Sequence, residues 1–135
     1  MIKLLFLFLL APVLASSDKQ CSSISIEKVN LCVELAISQR EKSRGLMFRK
    51  DLLNSDGMLF IWKNAGKRCM WMKNTYISLD LGFFREDMTL IEVRKLFPRS
   101  LDSICSSEPA KYDLELPKGW FYSHKINNNS KLVLN

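Results

Sequence analysis

The densest chemistry in this sequence is the run Trp71-Met72-Lys73-Asn74-Thr75, with a carboxylate following at Asp80. Read as extended chain, Trp71, Lys73 and Thr75 fall on one side. That sets an aromatic platform, a cation and a hydroxyl in line. With Arg49 as a second donor and Asn74 and Asp80 beside them, the set suits a polar ligand, anionic or sugar-like. The same residues also have a structural account. Trp71 and Met72 can fill core, Asn74 and Thr75 can make a bend, and Asp80 can pair with Arg49 or Lys73. Both accounts stand open at the level of sequence.

Catalytic arrangements are sparse. The one histidine, His124, lies in a polar stretch near the C-terminus. Without it a Ser/His/Asp or Cys/His arrangement has no base. Asp80 and Glu115, with Glu34 nearby in type, offer a carboxylate pair for glycoside hydrolysis. Acidic residues beside apolar strand positions are, however, more often surface groups. Met70 and Met72 could present two thioethers to Cu(I), although methionine is more often core filler. With no CxxC and a single histidine, zinc is disfavoured, and the five glycines form no phosphate-cradling loop. The balance leans away from an enzyme. No catalytic residue, metal or cofactor is assigned.

Short elements must position these groups. Val33, Leu35 and Ile37 alternate with Cys32, Glu34 and Ala36, as in a half-buried strand. Ser38 and Glu41 form an S-x-x-E capping box that opens a short helix, and Gly45 is placed to end it. Asn54-Ser55-Asp56-Gly57 turns the chain into a strand over Met58–Trp62. Lys63–Lys67 reads as a turn into a strand over Arg68–Lys73. Residues 77–83 alternate most clearly, and Arg85-Glu86-Asp87 turns them into a partner strand over Met88–Leu96. Pro98–Pro109 reads as a long loop. Tyr112, Leu114 and Leu116 mark another strand, and Lys131–Leu134 the last. The fold class expected is mainly β with one or two short helices, as a compact antiparallel sandwich or partly closed barrel.

The N-terminus has the order of a secretory signal: Lys3, an apolar run from Leu4, then small residues at Ala15, Ser16 and Ser17. It is shorter than the roughly 20 apolar residues that span a bilayer. Residues 1–17 are therefore expected to be removed, leaving one domain over 18–135 with no stable membrane span. A periplasmic or secreted location follows. The apolar content of 47% and charged content of 25% describe a folded domain with a core. The net charge of +6 is dispersed, with no basic cluster carrying interleaved aromatics, so nucleic acid is not an expected partner. Cys21, Cys32, Cys69 and Cys105 all lie in the exported part, and an even count there implies two disulfides. Of three connectivities, Cys21–Cys32 with Cys69–Cys105 is favoured. The first brackets a hairpin and the second ties a strand to the long loop.

Gly45-Leu46-Met47-Phe48-Arg49, Gly57-Met58-Leu59-Phe60, the Trp71–Thr75 run leading into Ile77-Ser78-Leu79-Asp80, Tyr112–Leu116 and Gly119-Trp120 together resemble the domain of unknown function 192 family. The resemblance runs from about Cys32 to Leu134. It implies a compact, mainly β fold and, commonly, an exported or envelope-associated bacterial or archaeal protein. It carries no activity. Ser78 stands where the family usually has Pro, and Asn127-Asn128 where it usually has Gly-Asp; Asn tolerates the left-handed backbone such a turn needs. The reading that follows is a non-catalytic envelope module for a polar ligand, glycan or partner protein. The alternatives are a hydrolase using Asp80 and Glu115 and a Cu(I) handler using Met70 and Met72.

Overall fold

The computed structural model describes residues 20–135, so the signal expected over 1–17 lies outside the described residues. β1 (Ser22–Ile26) and β2 (Val29–Ala36) form a hairpin. Its two turn residues, Glu27 and Lys28, both have positive φ, at 46° and 69°, the geometry that matches the twist of paired strands. α1 (Gln39–Arg44) follows, opened by the Ser38–Glu41 capping box and stopped by Gly45 at φ 49°. Then come β3 (Gly57–Gly66), β4 (Cys69–Met70), β5 (Leu79–Phe84), β6 (Leu90–Leu96), β7 (Ile104–Cys105), β8 (Ala110–Pro117), α2 (Trp120–Ser123) and β9 (Leu132–Leu134).

Seven strands make one sheet in the order β6-β5-β8-β3-β2-β1-β9, and β4 pairs with β7 in a second, small one. The β2–β3 pair is parallel, because α1 lies in the connection between them; the other pairs are antiparallel. The two ends of the large sheet meet. Thr89 bridges Lys131, Leu90 N–H donates to Ser130 at 2.9 Å, and Leu132 N–H donates to Met88 at 2.9 Å. The sheet is thus curled into a half-barrel, a mainly β fold with one parallel pair in its middle.

Each face of the sheet carries its own core. Ile24, Ile26, Leu59, Leu114, Leu116 and their neighbours pack under Phe121 of α2. Ala36, Met58, Phe60, Leu81, Phe83 and their neighbours pack under Leu46 and Met72, next to α1. These are called the α2 face and the α1 face below. Gly82 lets the α2 face close, since a Cβ there would stand 2.8 Å from the Phe121 ring.

The disulfides are Cys21–Cys32 and Cys69–Cys105, with no free cysteine among the described residues. Two such bonds point to an oxidising, extracytoplasmic environment. No helix among the described residues is long and apolar enough to cross a membrane.

Two expectations fail locally. The turn expected over 63–67 is strand, since β3 runs on to Gly66 past an irregularity in its pairing with β8. Arg68 holds this end, donating to the carbonyls of Asn64 and Ala110. The strand expected over Arg68–Lys73 is cut to Cys69–Met70. Beyond it Met72 N–H donates to Ser100, Thr75 N–H donates back to Met72, both at 3.0 Å, and Asn74 takes φ 54°. The Trp71–Thr75 run is therefore a turn pinned to the long loop, and its residues do not alternate across a strand.

Candidate functional site

On the α1 face, aligned residues of neighbouring strands form rows. Glu34 of β2, Met58 of β3, Glu115 of β8 and Leu81 of β5 make one, and Ala36, Phe60, Asp113 and Phe83 make the next. Three carboxyls therefore stand on a face that is otherwise core, and all three are buried. Each is treated differently by its surroundings.

Glu34 is held by the guanidinium of Arg49, with Nη1 and Nη2 each bonding one carboxylate oxygen. This is a bidentate pair, and it spends Arg49 on structure. Asp113 accepts a hydrogen bond from the Trp62 indole at 2.7 Å, while its other oxygen makes none among the described residues. Burial raises its pKa to about 7, against the lowering pull of the Trp62 bond and of the Arg68 and Lys42 charges. Those two cations stack on the Trp62 ring, each 4.3 Å from its centroid. Glu115 has no hydrogen-bond or ion-pair partner among the described residues. Burial, and then the charge of Asp113, raise its pKa to about 8. At neutral pH it is a protonated carboxyl, which donates as well as accepts.

Glu115 lies at the bottom of a cleft of about 190 Å³. One wall is the end of α1 and the segment after it, with Lys42, Arg44 and Met47; the other is Met70, Trp71 and Thr75. The end of α1 can pass this close because Gly45 has no Cβ, which would meet the Phe60 ring at 3.2 Å. Trp71 stands 47% exposed at the cleft, with the Lys73 ammonium 5.2 Å from its ring. Thr75 is buried, and its hydroxyl donates to the Lys73 carbonyl at 3.2 Å, leaving oxygen lone pairs as acceptors.

The sequence-derived residues divide accordingly. Trp71 and Thr75 line the cleft, while Lys73 lies beside the Trp71 ring. Asn74 shapes the turn, its carbonyl accepting from Phe48 N–H at 2.8 Å. Arg49 is committed to Glu34. Asp80 is not in the site. It pairs in register with Leu116, next to Glu115 on β8 and so on the opposite face. There it accepts a hydrogen bond from Gly119 N–H at 2.7 Å, bracing the turn into α2. Asp80 and Glu115 thus point to opposite sides of one sheet and cannot flank one bond. Met72 is buried and Met70 packs against the same core, as filler. Trp62, Lys42, Arg44 and Asp113 were not singled out from sequence; the one available signal was the acidic pair Asp113 and Glu115 at strand spacing.

The profile of the domain of unknown function 192, described as an uncharacterized ACR, matches residues 22–134. The chain belongs to this family. Two solved members of the fold are similar to this domain of unknown function 192 protein. One, from Sinorhizobium meliloti and provisionally named a transcription regulator, is 32% identical; the match covers 82% of this chain and 91% of that one, with a TM-score of 0.78. The other, a protein of unknown function from Novosphingobium aromaticivorans, is 25% identical over 87% and 88% of the two chains, also with a TM-score of 0.78. No curated protein sequence matches.

Proposed function

We propose that this domain of unknown function 192 protein is an exported periplasmic or secreted module that binds a small polar ligand, a glycan unit or the tip of a partner protein. The site is the cleft between α1 and Trp71, and the module is not an enzyme. The observation that carries this reading is Glu115, a buried carboxyl at an open cleft with no hydrogen-bond partner among the described residues. Its oxygens have no protein donor or acceptor among the described residues to displace, so they are free to pair with a polar group that enters the cleft. Trp71 supplies the platform and Lys73 a rim cation. The cleft is small beside the usual range of ligand pockets, roughly 300–1,000 Å³, so the ligand part that enters is small.

Hydrolysis by Asp80 and Glu115 has no support, since the two carboxyls face opposite ways. Cu(I) handling loses Met72 to the core. The name of the S. meliloti relative gives no ground for a nucleic-acid role here, because two disulfides and dispersed positive charge fit an extracytoplasmic domain better. A thermal-shift screen of monosaccharides and small metabolites tests the proposal. Stabilisers are expected whose effect disappears in Trp71→Ala. Stabilisation that persists in Trp71→Ala places binding elsewhere and defeats the proposal.

A further inference from the structure

The cleft is asymmetric in charge. Two cations, Lys42 and Arg44, lie on its α1 wall, and its one acidic residue is Glu115. Lys42 is held in place, its ammonium donating to the Ile61 carbonyl at 3.2 Å while resting on the Trp62 ring. Arg44 rests against Phe48, 5.9 Å from the ring centroid, and is exposed. A cationic guest would meet these two charges first. An anionic guest would be drawn in by them and would then meet Glu115.

We infer that the guest is a small carboxylic acid, its carboxylate lying against the Lys42 and Arg44 wall and accepting the carboxyl proton of Glu115 as a hydrogen bond. The inference rests on the reading of the cleft as a ligand site. The proton stays on Glu115 and no bond is broken, so the interaction needs no co-reactant. A carboxyl with a carboxylate acceptor is a charge-assisted pair, shorter and stronger than a neutral hydrogen bond. Ionised Glu115 would instead repel the guest.

The surroundings of Glu115 favour the protonated form. Asp113 stands on the same face of β8 two residues away, and Met58 and Leu81 flank Glu115 on the neighbouring strands without charge. Glu34 lies in the same row beyond Met58 and is neutralised by Arg49. From α1 only Lys42 and Arg44 contribute charge to the cleft, and they favour an anion in the guest rather than a second anion in the wall. The raised pKa of Glu115, to about 8, agrees with this arrangement.

Two matched sets of probes test the inference on the disulfide-bonded protein. One set is glucuronate, glucose and glucosamine; the other is phenylacetate, phenylethanol and phenethylamine. Each keeps one frame and changes the charge. In at least one set the acid is expected to bind about tenfold or more tightly than its neutral and cationic mates, by calorimetry at pH 6.5. Its affinity should fall roughly tenfold per pH unit once the pH passes the Glu115 pKa. In Glu115→Gln, which keeps a donor but cannot ionise, binding persists and the pH profile is flat. If a neutral or cationic probe binds as well as the acid, the inference fails while the cleft remains a ligand site. If the acid binds with the same pH profile in Glu115→Gln, the assigned role of Glu115 fails. If none of the six probes binds, both the inference and the binding proposal fall.

Discussion

The two faces of the large sheet were built from the same strands and ended differently. On the α2 face, β8 contributes Tyr112, Leu114 and Leu116, which pack under Phe121, and the buried carboxyl there, Asp80, is bonded to the Gly119 N–H. On the α1 face, the alternate residues of the same strand are Asp113 and Glu115. They are as buried as their apolar neighbours. Both faces pack a core, but one ties its buried carboxyl to backbone while the other leaves Glu115 beneath a cleft. A single strand thus separates what stabilises the domain from what it offers a ligand, because consecutive side chains point to opposite faces.

Substitutions at neighbouring positions can break that contrast. The largest effect is expected at Leu114, which is fully buried on the α2 face. Leu114→Ala should cost about 2–5 kcal/mol in urea unfolding, with the cleft left intact. A cost within the range of a surface change would mean that the α2 face is not the stabilising one.

An intermediate effect lies in pH. Glu115 and Asp113 both have pKa values raised by folding, to about 8 and about 7. A carboxyl whose pKa rises on folding binds its proton more tightly in the folded state, so stability falls as the pH increases from the unfolded pKa through the folded one. Unfolding free energy should therefore decline between about pH 5 and pH 8, and the decline should be shallower in Glu115→Gln. A wild-type profile that is flat or rises over that interval would remove the buried acids from the account.

The smallest change in stability is expected at the cleft mouth. Trp71 is about half exposed, so Trp71→Ala should shift unfolding by no more than about 1 kcal/mol while removing ligand stabilisation. A large loss of stability there would make Trp71 a core residue after all.

The fold class was legible because hydrophobic period, capping and turn chemistry agree over most of the chain. Ser38, Glu41 and Gly45 mark α1 unambiguously, and residues 77–83 mark strand β5 to within two residues. The cleft was half legible. Trp71, Lys73 and Thr75 stood out by type, but they meet through a turn fixed by hydrogen bonds to Ser100 and within residues 72–75, and long-range bonds of that kind leave no local pattern. Arg49 and Asp80 look like site residues in sequence because a charged group bound to a ligand and one bound to the protein have the same letter. Glu115 was discounted for a related reason. An acid alternating with apolar residues reads as a solvent-facing position, and only Leu46 and Met72, packed over that face from outside the sheet, make it an interior.

The closure of the sheet also constrains when it can form. β9 is made by residues 132–134, yet it pairs with β1 near the start of the domain, and the bridge at Lys131 joins it to the chain before β6. A chain that emerges N-terminus first cannot complete either junction until residues 131–134 are free. Contacts so distant along the chain slow folding, and the domain stays open, with its sheet edges unpaired, for as long as the C-terminal strand is withheld.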